Sequence, residues 1–100
     1  MFDNLAWDYI IHVKGGTPTH CLLYSYIDGG TAHSRLSTLI NLSKVFNMST
    51  KTINKHVLDL DDWNMISYSR ANRYESLFKV IPSWRAYVPK DLYASSWEVS

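Results

Sequence analysis

The chain holds a single cysteine, Cys21, in 100 residues. That excludes an internal disulfide framework and a cysteine-rich zinc site, and it fits a reducing, cytoplasmic setting. No run of about 18 apolar residues occurs, so no helix is expected to cross a membrane. The opening Met1-Phe2-Asp3-Asn4 is acidic, and no basic segment precedes an apolar stretch, so no secretory signal is expected. Enzyme motifs are scarce too. Neither a glycine-rich phosphate loop, nor a paired-acid motif, nor a Ser-His-Asp signature is visible, so neither catalysis nor a cofactor is expected. His20 and Cys21 are neighbours, and on a helix their side chains diverge by about 100°. A nucleophile and its base must meet within hydrogen-bond reach, so Cys21 reads instead as a small core residue. The four histidines (His12, His20, His33, His56) stand at no metal-binding spacing. They read as satisfied surface or core groups.

What is present is globular material. Hydrophobic residues make up 46% of the chain and charged residues 19%, with four Trp, seven Tyr and three Phe. That is the composition of a folded domain rather than a disordered tail. A single domain of this length buries roughly two thirds of its unfolded surface. The net charge of +1 hides an asymmetry. Between His33 and Arg85 stand eight Lys/Arg against four Asp/Glu, and outside that stretch two bases against five acids. A basic centre with acidic flanks points toward a polyanion. A solvated face with randomly placed charge explains the count equally well.

Gly15-Gly16 and Asp28-Gly29-Gly30 bracket a helix that begins at Pro18, with Thr17 as its N-cap. Leu22, Leu23, Tyr26 and Ile27 recur at spacings of three and four and predict its inward stripe. Residues 1–16 form an N-terminal arm, either helical or extended. Thr31 to Leu36 is short, flanked by turns, and suits a small strand. Ser37 or Thr38 caps a second helix with Leu39, Leu42 and Phe46 on one side, and Asn47 tolerates the left-handed conformation that ends it. Ser49 caps a third helix. Its inward stripe is Ile53, Val57 and Leu60, while Thr50, Lys51, Asn54, Lys55 and Leu58 project the other way. The turn Asn47-Met48-Ser49 has the length expected of a helix-turn-helix. Trp63-Asn64 stops the third helix. Met65–Arg70 and Tyr74–Ile81 then read as hairpin strands about Ala71-Asn72-Arg73, with Ile66, Tyr68, Phe78 and Val80 alternating. Pro82 ends the second strand. The expected fold is mainly α with a small β-hairpin wing, spanning residues 17–82. The aromatic tail, residues 83–100, carries Trp84, Tyr87, Val88, Leu92, Tyr93 and Trp97. It suits a helix from Pro89 that packs on the domain or at a dimer interface. Trp63 and Trp84 are expected to close the core.

The run from Leu42 to Val57 (Leu42-Ser43-Lys44-Val45-Phe46-Asn47-Met48-Ser49-Thr50-Lys51-Thr52-Ile53-Asn54-Lys55-His56-Val57) resembles the winged helix-turn-helix consensus. Met65-Ile66 sits where that family has leucine-isoleucine opening the wing. The helix from Pro18 and its Asp-Gly-rich exit resemble the same domain in phage and plasmid replication initiators and in small transcriptional regulators. The likeness covers roughly residues 17 to 81. Asn47 replaces the usual turn glycine, Asn64 the glycine before the wing, and Ser43 the usual alanine. Asparagine is enriched among non-glycine residues at positive φ, and serine is small enough for close helix crossing.

The resemblance implies sequence-specific binding of double-stranded DNA, in replication initiation or transcriptional regulation of a phage, plasmid or bacterium. The helix starting at Ser49 would enter the major groove, N-terminal residues first. Lys51 and Lys55 would neutralise phosphates or donate to guanine, Asn54 would pair with adenine, and Thr50 and Thr52 would bond phosphate or touch a thymine methyl. Arg70 and Arg73 flank the wing tip, poised for the adjacent minor groove or its phosphates. Asp59, Asp61 and Asp62 turn the far end of the helix away from phosphate. The alternative is a winged-helix module that meets a protein, such as a replication or transcription partner, without touching DNA. The low overall charge and aromatic tail favour some protein contact, most simply a homodimer.

Overall fold

The computed structural model describes residues 4–90. Helix α1 (Asn4–Asp8) runs directly into a π-helical turn, Tyr9–Val13, closed by the Lys14 N–H donating to the Tyr9 carbonyl at 3.1 Å. Leu5, Ala6, Tyr9 and Ile10 from this segment are buried in the main core. Residues 4–13 of the N-terminal arm are therefore helical and belong to the packed body.

Helix α2 (Pro18–Asp28) starts with proline at its first position, where the missing N–H costs nothing. It buries His20, Cys21, Leu23, Tyr24 and Ile27. Leu22, expected inside, is instead 41% exposed. The helix touches α1, α4 and the sheet, and a helix buried on several sides carries apolar residues on more than one stripe. Leu22 and Tyr24 compete on sequence, and packing selects Tyr24.

The strand expected from Thr31 begins only at Ser34. Thr31–His33 is a 3₁₀ turn, with Ala32 and His33 at φ of 54° and 58°. The chain doubles back so tightly here that a Cβ on Gly30 would collide with the Ser34 carbonyl oxygen. Strand β1 (Ser34–Ser37) then pairs antiparallel with β3 (Ser76–Val80), which pairs with β2 (Ile66–Arg70) in the hairpin, giving the order β1-β3-β2. Ile66 and Phe78 are buried, whereas Tyr68 is 39% exposed and stacks on Phe78 with ring centroids 5.9 Å apart.

Helix α3 (Leu39–Phe46) is capped by Thr38, whose hydroxyl accepts the Asn41 N–H at 2.9 Å. It ends at Asn47 with φ 53°, and the Met48 N–H closes the end on the Ser43 carbonyl at 3.0 Å. Helix α4 (Thr50–Asp62) follows after this turn and ends the same way, with Asn64 at φ 58° and the Met65 N–H on the Leu60 carbonyl at 3.0 Å. Both ends are left-handed terminations that satisfy otherwise unpaired carbonyls. Leu42, Ile53, Val57 and Leu60 are fully buried, and Leu39, Phe46 and Trp63 pack against the same cluster.

A 3₁₀ turn, Pro82–Tyr87, returns the chain to the body and drives Trp84 into the core at 1% exposure. Trp84 stacks on Tyr9 at 5.1 Å and meets Tyr24 edge-on at 6.3 Å, locking the N-terminal segment and α2 together. Leu92, Tyr93 and Trp97, with nearly all of the helix expected from Pro89, lie outside the described residues. Among the described residues no helix is long and apolar enough to cross a membrane. The order α2-β1-α3-α4-β2-β3 is that of a mainly α domain carrying a three-stranded antiparallel sheet, consistent with a winged-helix-like layout.

Two substitutions test this packing in urea unfolding. Trp84→Ala should cost about 3–5 kcal/mol, because it empties a filled site. Asn47→Gly should be neutral or mildly stabilising, while Asn47→Val should lose at least about 1–2 kcal/mol, since a β-branched side chain is poorly tolerated in the left-handed region.

Candidate nucleic-acid interface

Helix α4 is divided lengthwise by chemistry. Ile53, Val57 and Leu60 anchor it, which turns His56 and Asp59 toward α2 and leaves the opposite face outside. Thr50, Lys51, Thr52 and Lys55 are exposed, Asn54 is half-buried, and Leu58 is 45% exposed. Lys51 and Lys55 form no ion pair with another described residue. The Asn54 amide has no hydrogen bond to another described residue, so its donor and acceptor are free to meet a base edge.

Ser49 and Thr52 have a local task. The Ser49 hydroxyl accepts the Thr52 N–H at 3.1 Å and donates to the Thr52 hydroxyl at 2.9 Å. This is an N-cap, and it orients the first turn of α4. The Thr52 carbonyl in turn accepts from His56 Nδ1 at 2.7 Å. His56 is half-buried, and with Nδ1 donating, its Nε2 is the nitrogen left for an outside partner.

The electrostatics of α4 run against helix stability. A helix N-terminus is partially positive and its C-terminus partially negative. Here the first turn carries no acid and the last turn no base. Lys51 adds positive charge at the positive end, and Asp61 and Asp62 add negative charge at the negative end. The result is an anion-attracting N-terminal half and an anion-repelling C-terminal half.

The loop of the β2–β3 hairpin is shaped by Asn72. Its Oδ1 accepts the Tyr74 and Glu75 N–H groups, both at 2.9 Å, and its Nδ2 donates to Glu75 Oε1 at 3.2 Å. The Ala71 N–H closes the loop on the Glu75 carbonyl at 2.9 Å. Arg70 bends back to donate to the Arg73 carbonyl at 3.2 Å, and both arginines are exposed. Tyr74 in the same loop is 77% exposed. Nothing in the sequence singles out Asn72 as the residue that shapes the wing, although an asparagine that bonds its own backbone two residues on is a known turn-former.

Of the other basic residues in the central stretch, Arg35 is occupied. Its Nε donates to the Tyr26 carbonyl at 2.8 Å, and its guanidinium lies 3.9 Å from the Tyr26 ring centroid. The histidines do not assemble with acids or cysteine into a metal-binding group among the described residues. His33 bonds Asp28 at 2.9 Å on the surface. His20 is 5% exposed and bonded on both ring nitrogens. Cys21 is buried, and burial pushes its thiol up to about 11, far from the thiolate a nucleophile needs.

Two outcomes follow. Ser49→Ala should remove the cap and cost about 1 kcal/mol in chemical denaturation. At pH 8 an alkylating reagent should leave native Cys21 largely unmodified, with rapid modification once denaturant unfolds the chain; fast labelling of the folded protein would contradict the buried thiol.

Set against family models, curated proteins and solved structures, the chain finds no match in any of the three.

Proposed function

We propose that this chain is a winged helix-turn-helix domain that binds double-stranded DNA, with α4 in the major groove and the β2–β3 hairpin as the wing. One observation carries the reading. The outward face of α4 concentrates Lys51, Asn54 and Lys55 at the end of the helix whose dipole already attracts anions, and neither lysine is consumed by an ion pair with a described residue. On this reading Lys51 and Lys55 take phosphates or guanine, and Asn54 reads a base edge. Thr50 borders the same contact. Ser49 and Thr52 act chiefly by fixing the first turn. Arg70 and Arg73 bring the wing to the neighbouring backbone. The chain then works by binding and not by catalysis, as a replication initiator or transcriptional regulator, and pairing as a homodimer would double its modest positive charge on one duplex.

A protein-binding role has a specific observation in its favour. Ile40, Val45 and Leu58 on α3 and α4 are 62%, 48% and 45% exposed, more apolar surface than a face dedicated to phosphate requires. A partner protein of the replication or transcription machinery would use it.

Salt titration with a duplex pool separates the two. Lys51→Ala and Lys55→Ala should each weaken binding and reduce the slope of log K against log salt by about 0.9. Arg73→Ala should reduce it at the wing. Asn54→Ala should alter base preference more than bulk affinity. Lys51→Glu is the sharpest probe, because it should raise the melting temperature slightly, by complementing the helix dipole, while it weakens duplex binding. A Lys51→Glu protein that binds duplex as tightly as the parent removes α4 from the groove.

A further inference from the structure

His20 bridges two elements from a buried position. Its Nδ1 lies 3.0 Å from the Thr17 backbone nitrogen and 2.9 Å from the Thr17 hydroxyl, while its Nε2 lies 2.9 Å from Asp59 Oδ2 on α4. A backbone N–H can only donate, so Nδ1 must carry a lone pair. The hydrogen is then on Nε2, donated to the carboxylate. These contacts specify a neutral imidazole in one tautomer. The ring is also packed against His56, with centroids 4.3 Å apart, and against Trp63 at 4.8 Å. In capping-box terms His20 occupies the third position of α2, where glutamate or glutamine usually returns a bond to the cap residue. Here the same side chain reaches across to α4 as well.

We propose that His20 is a proton-sensitive latch that positions α4 against the N-terminus of α2, and that its bond to the Thr17 backbone N–H holds only while its imidazole is neutral. Protonation at Nδ1 sets a second N–H against the Thr17 N–H, so the cap bond is lost, although the Thr17 hydroxyl can turn to accept. The charged and titratable groups facing the ring all come from α4. Asp59 favours the imidazolium, whereas His56 and Lys55 oppose it. Burial weighs most, and the group is held below its ordinary value of 6.5. The unfolded chain therefore takes up this proton first as pH falls through 6.5. Stability from the latch is complete above that value and is lost on acidification, until the folded form also protonates.

The consequence for DNA rests on the function proposed above. The imidazolium keeps its Nε2–H bond to Asp59, which is one turn from Lys55 on α4, so a ring displaced from the Thr17 N–H carries that turn of α4 with it. The test has two separate arms. In the first, nitrogen-detected NMR of the unmodified protein should show His20 as the Nε2–H tautomer at pH 7. The folding equilibrium of the parent should fall between pH 7 and 5 more steeply than that of His20→Gln, by at most about tenfold per pH unit. Glutamine can keep the cap bond and does not titrate. An Nδ1–H tautomer, or parallel pH profiles for the two proteins, overturns the latch. In the second arm, a mixed-sequence duplex is bound at pH 7.5 and 5.5 at fixed ionic strength. Between pH 7.5 and 5.5 the parent should lose several-fold more duplex affinity than His20→Gln does; an equal loss in the two proteins overturns the link from latch to DNA. Absence of duplex binding at either pH removes the DNA reading and leaves the latch to be judged by the first arm.

Discussion

The burial of Ile53, Val57 and Leu60 on α4 is the constraint from which the rest of the molecule's surface follows. Three apolar side chains at positions i, i+4 and i+7, each fully inside, leave the helix no freedom to rotate about its axis. Once that face is fixed, Lys51 and Lys55 must be outside, Asn54 must stand at the margin, and Asp59 must lie beside α2. The Ser49 cap and the left-handed Asn64 set where this helix begins and ends. Met65 and Ile66 then enter the core immediately after it, so β2 and the β2–β3 hairpin are aimed by the same anchoring.

Trp84 provides the second anchor and a less obvious one. It comes from beyond the hairpin, yet it is sandwiched between Tyr9 and Tyr24 from the opposite end of the chain. The N-terminal segment and the turn after β3 therefore close on each other across the core. Among the described residues the indole nitrogen has no hydrogen-bond partner, and an unpaired buried donor costs about 1–3 kcal/mol. Dispersion, the stacked Tyr9 ring and the edge-on Tyr24 ring offset it. The position is held by shape, which makes the ring's size matter more than its polar atom.

Legibility from sequence followed periodicity and punctuation. The helices from Pro18, Leu39 and Thr50 were marked by caps and by apolar spacing, and the left-handed Asn47 and Asn64 stood where a glycine would otherwise be expected. The hairpin was marked by β-branched and aromatic residues about a turn. Three features were not written locally. The partnership of β1 with β3 joins residues some forty positions apart, and nothing in Ser34-Arg35-Leu36-Ser37 names that partner. The choice of Tyr24 over Leu22 depends on which neighbours surround α2. The His20–Asp59 bond spans 39 positions, so each residue alone reads as an ordinary helix position. The outward residues of α4 were legible because an amphipathic helix declares both faces at once, whereas the shaping of the wing by Asn72 depends on hydrogen bonds that no spacing rule encodes.

The charge order along α4 bears on why such a helix exists at all. A helix optimised for its own stability places acids in the first turn and bases in the last. This one does neither, and both departures have the same sign. Random placement would be expected to satisfy one end as often as it violates it. The buried stripe and the Ser49 cap tolerate the unfavourable arrangement, because tertiary packing outweighs the few tenths of a kcal/mol that surface charges contribute. What the arrangement produces is a field that points one way along the helix. Positive charge gathers at the N-terminal half, where the helix dipole is also positive, and negative charge gathers at the other end, where Asp59 is drawn inward to His20. The same polarity orients an approaching anion toward the first two turns and fastens the third turn to α2. On the proposed function, recognition and internal anchoring occupy opposite ends of one helix, and a proton on His20 acts at the anchored end.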